Sequence, residues 1–225
     1  MLQARDLAPG LSGLRQLPVR ETLRPLLSLL SEPGEELRMR AVKALGIQVA
    51  RLADEDGDAA REVMRRLIWN LNEESGSSGW GAPEAMAEIM ANHPGMAGEY
   101  AHLLVSYMHP GGNYLEHSLL QRGLLLGLGR LAEIRPHLLR QGGACRHLPD
   151  YFQSHDPAVR GLAAWCAGLL CDFEIKTALA PLLGDGGELS IWRGEKWQRA
   201  RVADLAREAL DRLAAAASPA AAIKT

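Results

Sequence analysis

One ten-residue pattern recurs along the chain and limits what it can fold into. It reads Leu37-Arg38-x-x-Ala41-x-x-Ala44-Leu45-Gly46, then Leu120-Gln121-x-x-Leu124-x-x-Gly127-Leu128-Gly129, then Val159-Arg160-x-x-Ala163-x-x-Cys166-Ala167-Gly168. A weaker copy follows at Gln198-Arg199-x-x-Val202-x-x-Leu205-Ala206. Neighbouring copies are about 40 residues apart, except the first two, whose gap of about twice that length leaves room for an altered copy near Gly81. A fixed period of this length, with small and apolar residues at helical spacing, is the mark of helical hairpins that bury their faces only by stacking on one another. The pattern therefore predicts an all-α chain, a right-handed α-solenoid of about five hairpins.

The segments around the pattern support that organisation. Leu23, Leu26, Leu27 and Leu30 recur at i, i+3, i+4 and i+7, which places them on one helical stripe. Glu32-Pro33-Gly34 ends this helix, and Leu37, Ala41, Val42, Leu45, Val49 and Leu52 form the apolar face of the next. The first hairpin then covers residues 20–54. The second covers 58–92, with Asp58 as a helix-starting cap and Pro83 in a first turn, where a missing amide costs nothing. The third covers 96–132, the fourth 148–170 and the fifth 175–213, the last interrupted by a long insertion at 184–196. Residues 1–19 read as an irregular arm or cap, and the Ala-rich tail 214–225 as disordered.

Asp156-Pro157-Ala158-Val159-Arg160 matches the "Asp-Pro-x-Val-Arg" opening of HEAT repeats, and Arg38 and Arg160 take the same place in their copies. Over residues 20–213 the chain resembles the HEAT superfamily, specifically the short-repeat branch that includes phycobilin-lyase-like repeats. The resemblance implies a fold used mostly for scaffolds, with a minority of enzymes. HEAT-repeat iron hydroxylases carry paired His-Glu dipeptides, and this sequence contains no His-Glu dipeptide.

A formal net charge of −2 supplies no bulk attraction to nucleic acid or to an anionic membrane. Arg135, Arg140, Arg146 and Arg160 are scattered among neutral segments, so a nucleic-acid partner is not expected. No apolar stretch approaches the roughly 18 residues of a membrane span, and Met1 does not begin a basic-then-apolar leader; the expectation is a cytoplasmic protein. Cys145, Cys166 and Cys171 form an odd set without a CxxC and read as small buried hydrophobes in a reducing compartment.

Repeat proteins tend to bind along the edge where their hairpin turns line up. On that edge the densest departure from the pattern is 69–84. There Gly81 replaces the expected Arg, and Glu84 and Glu88 occupy positions that are small or apolar in the other copies. A buried carboxylate must be paired or neutralised, so something has to meet these groups. The candidate partner- or ligand-binding residues are Trp69, Asn72, Glu73, Glu74, Trp80, Glu84, Tyr114, His117 and Trp192. Two functional readings follow. One is an interaction scaffold or adaptor gripping another protein through the loop 74–83 and the insertion 184–197, with Trp80, Trp192 and Trp197 as aromatic anchors. The other is a small-molecule or metal pocket, conceivably an enzyme's, between hairpins two and three. A structural alternative has the tryptophans filling space and the carboxylates capping helices or pairing with Arg65 and Arg66. His109, His117 and His155 lie on successive turns near Tyr114, Glu116 and Asp156, but their spacing is not a metal signature, and no cofactor is expected. No nucleophile elbow or phosphate-binding glycine loop is present.

Overall fold

The helices form where the period-3.6 pattern places them. The computed structural model describes residues 2, 7–72, 79–171 and 173–217. Its helices are α1 (Leu7–Leu14), α2 (Val19–Ser28), α3 (Glu35–Glu55), α4 (Gly57–Asn72), α5 (Ala82–Asn92), α6 (Pro94–Ser106), α7 (Ser118–Ile134), α8 (Pro136–Gln141), α9 (Ala144–Tyr151), α10 (Pro157–Leu170), α11 (Lys176–Leu179) and α12 (Val202–Ala217). Strands β1 (Glu188–Arg193) and β2 (Lys196–Arg201) form a hairpin between α11 and α12. The fold class is the all-α helical-repeat solenoid that the periodicity predicts. The chain divides into two compact units, Met1–Leu104 with Trp192–Trp197, and Val105–Ile191 with Gln198–Thr225.

Within each unit the pattern-bearing helices pack on one another: α3 on α5 in the first, α7 on α10 and α10 on α12 in the second. The contact is made at the last position of the pattern. A Cβ on Gly46 would lie 2.5 Å from Cγ of Glu88 on α5, and one on Gly168 would lie 2.6 Å from Cα of Ala209 on α12. One on Gly129 would run into the ring of Trp165 on α10. Glycine at this place lets neighbouring helix backbones approach at the short end of the usual ~8–10 Å separation. Ala44 and Cys166, the small residues at the eighth position of the pattern, are buried, but the close approach comes two residues later.

The second position of the pattern has its own task. Arg38 donates to the carbonyl of Glu32 at 2.8 Å, Gln121 to that of Leu115 at 2.9 Å, and Arg160 to that of Ser154 at 2.7 Å. Each long polar side chain reaches six residues back and satisfies a carbonyl in the turn before its own helix, where no helical donor is available. In α10 this tie works beside an Asp156 cap, whose carboxylate accepts from the amide of Ala158 at 2.9 Å. Among the described residues no cysteine forms a disulfide; Cys166 and Cys171 are buried and Cys145 is half-buried.

Three segments depart from the expected organisation. The N-terminal arm contains the helix α1, which packs on α3. The first helix of hairpin four, expected from Leu148, starts earlier as α9 and is preceded by α8, the two separated at Gly142 and Gly143, the latter at φ +81°, and the first helix of hairpin five is a chain of short turns around α11. The insertion is a β-hairpin rather than a loop. Leu189 and Ile191 alternate with exposed Glu188 and Ser190, the period of a half-buried strand. Gly194 and Glu195, at φ +56° and +63°, make a two-residue turn with both central residues left-handed, the type I′ geometry that matches strand twist. Extending β2 through Arg201 delays α12, so the fourth copy of the pattern, with Arg199 at its second position, begins in a strand. The expected tail begins inside α12, which runs to Ala217, and residues 218–225 lie outside the described residues.

Gly98 and Gly129 make opposite demands in otherwise similar helical positions. Around Gly98 a Cβ would meet nothing within 4 Å. Gly98→Ala is expected to raise unfolding free energy by about 0.5–1 kcal/mol through reduced backbone entropy, whereas Gly129→Ala lowers it by about 1–3 kcal/mol through overpacking against Trp165. Urea titration followed by circular dichroism reads both, and equal effects at the two positions would refute the packing assignment.

Candidate functional site

The residues of the first unit that the sequence singles out divide into an exposed set and a buried set. Trp69 lies in the last turn of α4, whose inner face is Ala60, Val63, Met64, Leu67 and Leu71. Helical spacing therefore turns Trp69 outward with Glu62, Arg65, Arg66 and Asn72, and its side chain is 71% exposed. Arg65 pairs with Glu62 at 2.6 Å, not with Glu84 or Glu88. Glu73 and Glu74, together with 75–78 of the expected binding loop, lie outside the described residues.

Trp80 is half-buried, with the Arg38 guanidinium 6.0 Å from its ring centroid, at the outer limit of a cation–π contact. Gly81 follows in the left-handed region at φ +72°, and a Cβ there would lie 3.0 Å from the carbonyl oxygen of Leu30. This explains the loss of the expected Arg: the backbone itself packs where the side chain would stand.

From this turn α5 carries its two carboxyls inward. Glu84 is 8% exposed and Glu88 is 3% exposed, and the two are met differently. Glu88 Oε1 accepts from Lys43 Nζ at 3.0 Å and from Asn92 Nδ2 at 3.0 Å, so its charge is neutralised across the α3–α5 contact. Glu84 Oε2 is buried without a hydrogen-bond partner. Burial pushes the Glu84 carboxyl up from its ordinary range, only partly opposed by its own backbone amide and by the charge of Arg38, which favours the neutral acid. A cation meets one carboxylate, and burial without a partner raises the pKa of the other.

In the second unit, Tyr114 is 38% exposed and its hydroxyl accepts from Gln121 Nε2 at 3.1 Å. His117 is exposed and caps α7, its Nδ1 accepting from the amide of Leu119 at 3.2 Å. His109 stacks on His147 of α9, centroids 4.2 Å apart and rings 16° from parallel. Burial, reinforced by His109, lowers the pKa of His147. His155 is exposed, while Asp156 caps α10 and binds Arg122 at 2.7 Å. Among the described residues no group of three or more His, Cys, Asp and Glu side chains is placed to hold a metal ion.

The hairpin changes the role of its tryptophans. A two-residue turn sets Trp192 opposite Trp197, and their rings meet edge to face at 5.5 Å and 71°. Trp192 is 8% exposed, so it is a packed residue and not a free anchor, and both indole Nε1 atoms are buried without an acceptor. The sequence reading missed this hairpin although Leu189-x-Ile191 followed by Gly194 carried its signal. It also missed a cavity of about 420 Å³ in the first unit, lined by Leu2, Leu14, Leu17, Leu26 and Leu37 with Glu21 among them. That cavity lies at α1 and α2.

No family model matches the chain. An uncharacterized protein of Archaeoglobus fulgidus is 34% identical over 116 residues, 51% of this chain and 57% of the relative, so the match spans little more than half of that protein. A designed armadillo repeat protein superposes with a TM-score of 0.52 at 19% identity, covering 94% of this chain and 96% of that one. An engineered protein solved by the Northeast Structural Genomics Consortium gives a TM-score of 0.52 at 17% identity, covering 95% of this chain and 94% of that one. At such identities the likeness concerns the fold, which is that of helical repeats. Among the described residues no helix is long and apolar enough to cross a membrane.

The two carboxyls of α5 respond oppositely to substitution. A folded-state pKa raised above the unfolded value gives stability that is full at low pH and lost as pH rises through the folded value. Glu84→Gln is therefore expected to be more stable than wild type at pH 7–8, with the gap closing toward pH 4.5, in urea titrations across that range. Lys43→Ala, which leaves Glu88 without its cation, is expected to cost about 3 kcal/mol at pH 7 in the same assay.

Proposed function

We propose that this protein is an interaction module, a scaffold or adaptor that binds another protein through the turn edge of its repeats, with the outer face of α4 around Trp69 as the principal contact. The observation that carries the reading is the exposure of Trp69, 71% in a chain with five tryptophans. A large aromatic held out on a rigid helix is the residue type and setting of an interface hot spot. Arg65 and Arg66 flank it, and Asn72 follows one turn later, which gives an apolar centre with a polar rim. Helical-repeat folds provide such surfaces in general, and that supports the reading at its coarse level. A cytoplasmic location belongs to the same proposal.

One observation favours the competing reading of a small-molecule site: the 420 Å³ cavity of the first unit. Its leucine lining suits an apolar ligand and offers little to a metal ion. Native mass spectrometry of freshly purified protein tests it, and a bare chain that also fails to bind medium-chain fatty acids counts against it.

Trp69 is too exposed to hold the core. Trp69→Ala is expected to leave unfolding free energy within about 0.5 kcal/mol of wild type yet weaken partner binding by about 30-fold or more, the scale of a hot-spot loss. A photo-crosslinking residue at position 69 should give a discrete adduct with one partner protein in native lysate, and the same residue at exposed Arg207 should not. No adduct at 69, or equal adducts at both positions, would sink the proposal.

A further inference from the structure

The β-hairpin offers backbone groups that the rest of the molecule leaves unused. Its register follows from two observations. The two-residue turn 194–195 pairs Arg193 with Lys196, and the amide of Val202 donates to the carbonyl of Gly187 at 2.9 Å. Both require residues 189 and 200, and 191 and 198, to be the hydrogen-bonded pairs, and place 190 opposite 199 and 188 opposite 201 as non-bonded pairs. In an antiparallel ladder the amides and carbonyls of non-bonded positions point away from the partner strand. Arg199 thus directs its amide and carbonyl, and Arg201 its amide, off the free edge of β2, at the two-residue spacing of an extended chain; the carbonyl of Arg201, which precedes α12, serves as the first acceptor of that helix. Among the described residues the sheet has two strands, so no third strand pairs with this edge.

The side chains along this edge are all of one sign. The exposed residues of β2 are Lys196, Arg199 and Arg201, and the strand contains no carboxylate. Among the described residues neither Arg199 nor Arg201 forms an ion pair, even though Glu188 stands opposite Arg201. By contrast, the half-buried guanidinium of Arg160 is paired with Asp185 at 2.6 Å. Cations on a strand edge keep identical edges apart, because two copies pairing through β2 would bring these charges together. They attract an extended chain of opposite charge.

Resting on the reading of this chain as an interaction module, we infer that β2 is a docking edge for an extended acidic peptide segment of the partner, which adds as a third strand. The partner's backbone meets the amide and carbonyl of Arg199 and the amide of Arg201, and its carboxylates lie beside the two guanidiniums. Alternating donors and acceptors select a polypeptide over a nucleic acid, whose phosphate backbone offers acceptors and no matching donors. The edge recognises strand conformation and negative charge.

The test uses the full chain and an acetylated, amidated seven-residue peptide alternating glutamate and valine. Nitrogen-15 NMR titration is expected to show saturable shifts centred on residues 198–202, with slowed hydrogen exchange at the amides of Arg199 and Arg201. Raising salt from 50 to 300 mM should weaken binding several-fold. The double reversal Arg199→Glu and Arg201→Glu should weaken it at least tenfold with the circular dichroism spectrum unchanged. If that variant does not fold, the same loss must appear when wild-type protein meets a peptide N-methylated at every residue, which keeps charge and removes strand pairing. Absence of binding, equal binding of the methylated peptide, tighter binding of an equally charged single-stranded oligonucleotide, or dimerisation through β2 would each overturn the inference. A position-69 adduct that persists while the peptide fails sinks only the strand edge; loss of that adduct with peptide binding intact sinks only the α4 surface.

Discussion

The contact on which the rest of this structure depends is glycine against a neighbouring helix at the end of each repeated pattern. Gly46 receives Glu88, Gly129 receives Trp165 and Gly168 receives Ala209, three chemically unlike partners meeting the same bare backbone. The missing side chain sets how near the next helix comes, and that spacing decides which side chains can share a layer. Because α3 and α5 are so close, Lys43 reaches Glu88 directly and Glu84 is closed off from water. The glycine thus exerts control through distance, and the electrostatics of α5 follow from it.

A second regularity disposes of the polar groups that stacking would strand. Each turn before a pattern helix exposes carbonyls that no helical amide can reach, and Arg38, Gln121 and Arg160 answer them with the same six-residue backward reach. Once its guanidinium is committed in this way, the side chain becomes a fixed point for other groups. Arg38 reaches Trp80, and Arg160 pins Asp185, which sets the start of the segment leading to β1. The ties that satisfy the backbone also position the two most divergent parts of the chain.

The helices of the first three hairpins were legible to within a few residues, because their apolar spacing is strong and their ends carry Pro, Gly and Asp signals. The buried state of Glu84 and Glu88 was legible as a problem, since carboxylates at packing positions demand a partner. That Lys43 would answer Glu88 while Glu84 stayed without a partner was not, because the answer depends on which residue of α3 the helix crossing brings opposite each. Trp192 and Trp197 looked like anchors when read as loop residues. Pairing across a strand turns them onto each other, and no helical periodicity anticipates that. Tyr114 and His117 were chosen for their chemistry, yet local bonds to Gln121 and Leu119 account for much of what their polar atoms do.

By itself the sequence determined the helical-repeat class and where the helices of its first half lie, because a period of small and apolar residues is buried only as stacked helices. Tertiary structure alone decided which singled-out residues remain available to a partner. Trp69 and Trp192 belong to the same residue type, but one stands 71% exposed on α4 and the other is 8% exposed beside a second indole. The physical reason is that burial depends on what the neighbouring element brings to a face, and at a β-hairpin inserted into a helical repeat that neighbour is outside the reach of the repeat's own period.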